Sequence, residues 1–319
     1  QLVTNFSTTK SSQLVDSMHV PSEASGYTLF SLIPHATIKE QKDVRVTFGA
    51  PFPKGFIDNT NDIRVLDEKN DELPIAVLSS LERLKGDNSE ESIRSAIIQL
   101  NIDFLGQEKG RLLKLAWGEE RTSSDIEAQP VDSTWLRVDD EEFSLSEGIM
   151  EPNAYALFSA DWYGKSVIKS RVLPLKSHPE FSAYDAAFYA FGKTAINHVD
   201  PRVVESKLLP YKTSYAAWLF DRAMMLYQLA FRTGELKFLR SAHRASQFYK
   251  SKISSAGYFS LKPSNDMKYS YGESLVSNYI LTGDQSIPAT IEAMVPVWDT
   301  FSTFYTANTN FWTERHAAF

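Results

Sequence analysis

Three short stretches gather side chains able to move protons, meet carboxylates or stack on flat rings. They are Pro210-Tyr211-Lys212-Thr213-Ser214-Tyr215, Tyr269-Ser270-Tyr271-Gly272-Glu273 and Asn310-Phe311-Trp312-Thr313-Glu314-Arg315-His316. Tyrosine and histidine serve as general bases once neighbours bring their pKa toward the working pH. Arginine is a permanent planar cation for carboxylates. A fourth stretch, Ile196-Asn197-His198-Val199-Asp200-Pro201, pairs a histidine with a carboxamide in a loop. His19, His35, His178 and His243 have no supporting partners nearby in sequence. No HExxH, EF-hand loop, GxSxG or P-loop occurs, and no two histidines stand at helical spacing. With no cysteine there are no disulfides, thiolate metal sites or thiol nucleophiles. The acidic run Asp139-Asp140-Glu141-Glu142 would point to alternate faces of a strand, so it reads as a solvated hairpin tip, not a calcium site. The expectation is chemistry without a cofactor or a metal ion.

Two kinds of element must carry these residues. Asp43–Phe48, Ile63–Asp67, Leu73–Leu81, Ile93–Phe104, Arg111–Trp117, Trp135–Phe143, Tyr155–Ser159 and Lys169–Leu175 read as short strands between turn signals. That series predicts an antiparallel β sandwich or barrel over residues 1–175. The imperfect alternation of Ser92–Asp103 suits a strand central to its sheet. From residue 176 the pattern changes to helical spacing. Ser214–Arg232 places Ala217, Phe220, Met224, Tyr227 and Phe231 three and four apart. Leu236–Ile253 follows after Thr233-Gly234-Glu235. Glu273–Leu281 closes at Thr282-Gly283-Asp284, and Ile287–Tyr305 pairs with it. Asp185–Ala195 reads as an earlier helix. The two turns recur at a period near 50 residues, the mark of an α/α repeat. In each, glycine takes the left-handed position that ends one helix and an acid opens the next.

Charge divides at the same place. Of 33 basic and 40 acidic residues, residues 1–175 hold 18 and 28, while residues 176–319 hold 15 and 12. The second part also carries 26 of the 40 aromatic residues. An overall excess of acid argues against a general nucleic-acid binder, which needs clustered basic charge. No apolar run approaches the length of a membrane span.

The β region opens with Val46–Gly55 (VTFGAPFPKG), Ile63–Pro74 (IRVLDEKNDELP) and Ser92–Phe104 (SIRSAIIQLNIDF), and in these stretches it resembles the N-terminal domain of exo-rhamnogalacturonan lyase-like proteins. That family usually shows a Trp, an Asp-Gly-Ser turn and an Arg-Trp strand; here Leu84-Lys85-Gly86-Asp87 and Arg94-Ser95 stand instead. The resemblance implies an (α/α) toroid after the β domain, with residues 176–319 as its first hairpins. Similar toroids occur in lyases of ulvan, alginate and other uronate polymers. The fold expectation is therefore a β domain at 1–175 and an incomplete toroid at 176–319. A chain ending on a helix opening (residues 311–319) is expected to be part of a longer protein, whose remaining toroid would be its partner.

The resemblance also implies a reaction. Polysaccharide lyases remove the C5 proton of a uronate and expel the oxygen at C4, so the carboxylate must be neutralised as charge develops. In a toroid the inner-helix starts converge on one rim, where free N–H groups favour anions. Arg315 and His316 are then expected to neutralise the carboxylate or transfer protons, and Tyr271 to act as base. Asn197 with His198 is the other pair suited to those roles. Trp312, Tyr269, Tyr215, Lys212 and Asn310 are expected to bind sugar. A half-buried helix residue is the competing reading of Tyr271. The class alternatives are an α/α-toroid glycoside hydrolase drawing on Asp185, Asp221, Asp266, Glu273 or Glu314, and a non-catalytic carbohydrate-binding module. An acidic polymer as substrate, with a chain beginning at Gln1, fits a secreted or periplasmic protein; an imposed boundary accounts for Gln1 equally well.

Overall fold

The structure, a computed structural model, describes residues 25–38, 40–83, 92–106, 110–138, 148–166, 168, 173–196, 214–219 and 221–300. The first part is built from antiparallel sheets and the second from helices. The strands are β1 (Gly26–Pro34), β2 (Gln41–Pro51), β3 (Arg64–Leu66), β4 (Glu72–Leu73), β5 (Ile75–Glu82), β6 (Ile93–Phe104), β7 (Arg111–Trp117), β8 (Trp135–Val138), β9 (Ile149–Pro152) and β10 (Ala154–Phe158). A five-stranded sheet runs β10-β1-β7-β3-β4, a three-stranded sheet β2-β6-β5, and β8 pairs with β9. Phe30 of β1 lies 5.3 Å from Phe48 of β2 and stacks on Phe158 of β10 at 5.1 Å, so the two larger sheets share one apolar core. β6 sits between β2 and β5 with nearly every residue buried, which accounts for its imperfect alternation.

Three details depart from the sequence expectation. The segment Leu73–Leu81 is two strands, because Pro74 has no N–H to give a ladder. Leu73 pairs with Val65 in one sheet while Ile75 pairs with Leu100 in the other. β1 is a strand the turn-signal series left out, although Phe30 and Leu32 face inward and Tyr27 and Leu29 outward. The described end of the expected strand Lys169–Leu175 is a loop tied to the helices: Arg232 Nε donates to the Leu173 carbonyl and Leu175 N–H to that of Arg232, both at 2.8 Å. Residues 139–147, with the acidic run, lie outside the described residues.

The helices are α1 (Ala160–Ser166), α2 (Ser182–Ile196), α3 (Arg222–Thr233), α4 (Leu236–Ser251), α5 (Glu273–Thr282) and α6 (Ile287–Asp299). α1 closes the β core, where the Trp162 indole donates to the Pro51 carbonyl at 2.8 Å and packs on Trp117 at 5.5 Å. The expected helix Ser214–Arg232 is interrupted. A 3₁₀ turn, Tyr215–Trp218, precedes Asp221, which is left-handed (φ 43°) and caps α3 by accepting from Met224 N–H at 3.0 Å. Aspartate tolerates that backbone because its side chain satisfies the helix start locally.

Both glycine turns are as expected. Gly234 (φ 63°) donates to the Ala230 carbonyl and Gly283 (φ 72°) to that of Tyr279, each at 2.8 Å. They join α3 to α4 and α5 to α6. The last turn of α5 lies on the three-stranded sheet at Gly49, where a Cβ would stand 1.7 Å from the Ile280 carbonyl oxygen. Ser95 Oγ donates to the same carbonyl at 3.0 Å. Among the described residues no helix is long and apolar enough to cross a membrane.

Candidate functional site

The segments that open α3 and α5 meet. Tyr215, in the 3₁₀ turn before α3, and Tyr269, in the turn Met267–Tyr269 before α5, stand edge to face with ring centroids 5.5 Å apart. Behind them lies a continuous aromatic floor. Tyr269 stacks on Phe259 at 6.4 Å, Phe259 on Tyr249 at 5.2 Å, and Trp218 on Phe248 at 5.3 Å. The floor exists because α4 presents Phe248 and Tyr249 side by side at its C-terminal end, where the two short 3₁₀ turns arrive.

The Tyr249 hydroxyl fixes the entry to α5. It donates to the Tyr269 carbonyl at 2.6 Å and accepts from Tyr271 N–H at 2.7 Å. Burial pushes its pKa well above the usual phenol range, so it stays protonated and keeps both bonds. Trp298 of α6 donates from its indole to the Ser270 carbonyl at 3.1 Å. The backbone of residues 269–271 is thus held from two sides.

Tyr271 is 5% exposed and its hydroxyl donates to the Leu219 carbonyl. Its phenol ties the start of α5 to the chain entering α3. Tyr269 is equally buried, its ring set edge to face with Tyr215 and stacked on Phe259. Tyr215 is half-buried, with the Lys262 ammonium 4.4 Å above its ring. Lys212, Asn197, His198, Asn310, Trp312, Arg315 and His316 lie outside the described residues, as does Glu314. Of the three stretches singled out by chemistry, the described parts of two are brought together. Three of the carboxylates considered for hydrolysis have local duties. Asp185 binds Arg232 and accepts from Lys176 N–H, Asp221 caps α3, and Asp266 accepts from Lys268 N–H.

A second polar cluster lies where α4 meets the sheets, and no motif announces it. Glu151 of β9 is completely buried. Arg240 of α4 grips it with two bonds, Nε to Oε2 at 2.7 Å and Nη2 to Oε1 at 3.0 Å. The Tyr155 hydroxyl donates to Oε2 at 2.8 Å, while Arg244 Nε and His35 Nε2 stand 3.5 and 3.6 Å away. Burial alone would raise the Glu151 pKa; His35 and Arg240 outweigh it and hold the carboxyl far below its ordinary range. Beside it, His243 donates through Nε2 to the Met150 carbonyl at 2.9 Å, and its Nδ1 meets the Asn278 side-chain amide at 2.9 Å. Burial lowers the His243 pKa and keeps the ring neutral. His35 and His243, isolated in sequence, therefore both acquire partners from the other half of the chain. Both Glu151 oxygens are engaged and none of the carboxylate meets solvent, so the cluster is built to join layers rather than to react.

Chemically, the meeting of the segments before α3 and α5 offers a half-buried tyrosine with a lysine over its ring, set on a buried aromatic core, and the Glu151 cluster offers cohesion. Among the described residues no group of histidine, aspartate and glutamate side chains could hold a metal ion. Comparison with protein-family models, curated proteins and solved structures finds no match to this chain.

Proposed function

We propose that this chain is a polysaccharide lyase acting on an acidic, uronate-containing polymer of the ulvan or rhamnogalacturonan kind, and that its helical hairpins are the first part of an (α/α) toroid. The observation that carries the reading is the meeting of Tyr215 and Tyr269 at the starts of α3 and α5, on an aromatic floor with Lys262 beside it. Helix openings that meet, a half-buried tyrosine and a lysine with no carboxylate partner among the described residues together suit a chain of anionic sugars. In the reaction, a base takes the C5 proton, the electron pair forms the C4–C5 double bond, and the C4–O bond breaks with its oxygen protonated. The Tyr271 hydroxyl is bound to the Leu219 carbonyl, so the proton-transfer role passes to His316 or to His198 with Asn197, and Arg315 meets the carboxylate. A polymer of this kind is encountered outside the cytoplasm, which makes the protein secreted or periplasmic.

The binding of Tyr271 favours a second reading, a non-catalytic carbohydrate-binding module. One experiment separates the two. The protein is incubated with ulvan, rhamnogalacturonan and alginate while the ultraviolet absorbance of the unsaturated uronate is followed. A rise that His316→Ala or His198→Ala abolishes supports the lyase. Retention of the polymer with no rise assigns binding alone, and new reducing ends without absorbance assign hydrolysis.

A further inference from the structure

Two lysines on the aromatic floor stand apart from the other cations around it. Lys262 lies with its ammonium 4.4 Å from the Tyr215 ring, and Lys252 lies 5.5 Å from the Phe248 ring. Both are half-buried. Neither has a carboxylate within ion-pair distance among the described residues. Their neighbours are paired: Lys250 with Asp284 and Lys268 with Asp266. The two unpaired lysines belong to one local structure. Ser260 N–H donates to the Lys252 carbonyl at 2.7 Å, next to the antiparallel bridge between Ile253 and Phe259. The rings under them belong to the same floor, since Phe248 stacks on Trp218 of the 3₁₀ turn that begins with Tyr215.

A cation laid on a ring is held in place without being neutralised, because the ring supplies a quadrupole and no charge. The lysine keeps its full charge and its three N–H donors for another group. A salt bridge would have cancelled that charge; an aromatic support does not.

We propose that Lys262 and Lys252 form the anion-recognition surface of the rim, taking the carboxylates or sulfate esters of an acidic glycan, with Tyr215 and Phe248 as the supports that aim them. This rests on the acidic-glycan reading above and names the residues that would read its charge. The shared ligand chemistry is an oxyanion carried on a sugar ring. A carboxylate and a sulfate ester both present it.

The test uses the full 319-residue chain and three immobilised polymers: an unsulfated polyuronate, a sulfated neutral glucan and an unmodified glucan. Lys262→Gln and Lys252→Gln are each expected to weaken binding to the charged polymers about tenfold, the loss of one charge-assisted hydrogen bond. Lys262→Arg restores most of the affinity. Tyr215→Leu weakens binding as Lys262→Gln does, whereas Tyr215→Phe, which keeps the ring face, retains most of it. Preference for the polyuronate assigns carboxylate as the ligand, and preference for the sulfated glucan assigns sulfate ester; either supports the proposal. Charged-polymer binding that survives both glutamine substitutions overturns it and leaves the lyase reading intact. Lysine-dependent binding with no absorbance rise supports it and removes the lyase chemistry. Absence of binding to every polymer overturns both.

Discussion

Removing Arg240 from the fully buried Glu151 tests the coupling of the helices to the sheets. Arg240→Met keeps the length and packing of the stem but withdraws both bonds to the carboxylate. What remains near Glu151 is the Tyr155 hydroxyl at 2.8 Å, with Arg244 at 3.5 Å and His35 at 3.6 Å. Breaking a buried pair by deleting one partner costs about 3–5 kcal/mol, because the other charge is left uncompensated. Here the cost belongs near the lower figure. The Arg240 side chain is 34% exposed, so water can enter its place, and the Arg244 guanidinium stays close. About 3 kcal/mol is a large part of the 5–15 kcal/mol that stabilises an ordinary domain.

The pH dependence follows from the direction of the shift. In the native protein the Glu151 pKa lies far below its unfolded value, so its contribution is complete above about pH 4.3 and fades only as pH falls toward the folded value. In Arg240→Met burial gains ground and the pKa rises. The penalty is then largest at neutral pH and shrinks as the carboxyl is taken up neutral in acid. Urea unfolding at pH 7 and pH 5 measures both terms, with m-values confirming a two-state transition. Glu151→Gln combined with Arg240→Met should recover much of the loss, since no buried charge is left. A loss under about 1 kcal/mol at pH 7, or a double variant no better than the single, would refute this account of the cluster.

Three further outcomes are expected. Gly49→Val should lower the thermal midpoint by lifting α5 off the sheet, at the upper end of the roughly 1–3 kcal/mol typical of overpacking, because the Ile280 backbone it meets cannot rotate away. The lowered His243 pKa means the unfolded chain binds that proton first, so stability should decline as pH drops below about 6.5, by about 1.4 kcal/mol per pH unit until the folded ring titrates. Replacing His243 with Gln should flatten that limb of the stability-versus-pH curve. Tyr249→Phe should cost about 1–3 kcal/mol by stranding the buried Tyr271 N–H, and should weaken retention on acidic polymer if the rim binds it; denaturant melts and affinity chromatography read the two effects.

The sequence displayed what depends on local pattern. β6 and β7 could be bounded from burial periodicity and flanking glycines, and the two Thr-Gly-acid turns from the left-handed backbone that glycine permits. It hid what depends on distant partners. Pro74 moves the chain between sheets, a consequence invisible without knowing that Val65 and Leu100 are the two alternatives for pairing. Asp221 opens α3 within a stretch that apolar spacing alone read as one continuous helix, because the left-handed conformation of an aspartate leaves no periodic signal. The meeting of residues 215 and 269 was expected only through the resemblance, which implied that both stand before inner helices of a toroid. The Glu151 cluster was not: its members come from β9, β10, α4 and the loop after β1, and none of those spacings carries a motif.

The contact at Gly49 also acts as a ruler. α5 has 10 residues, so its two ends stand about 15 Å apart. One end is seated on the sheet through Ile280 and Leu281; the other delivers residues 269–271 to the rim. The distance from the seated end to residues 269–271 is therefore set by a count of residues. Inserting one amino acid in α5 would shift that segment by about 1.5 Å along the helix axis and swing it by about 100°, carrying Tyr269 away from Tyr215. Strand β2 thus gauges, from a position with no side chain at all, where Tyr269 meets Tyr215.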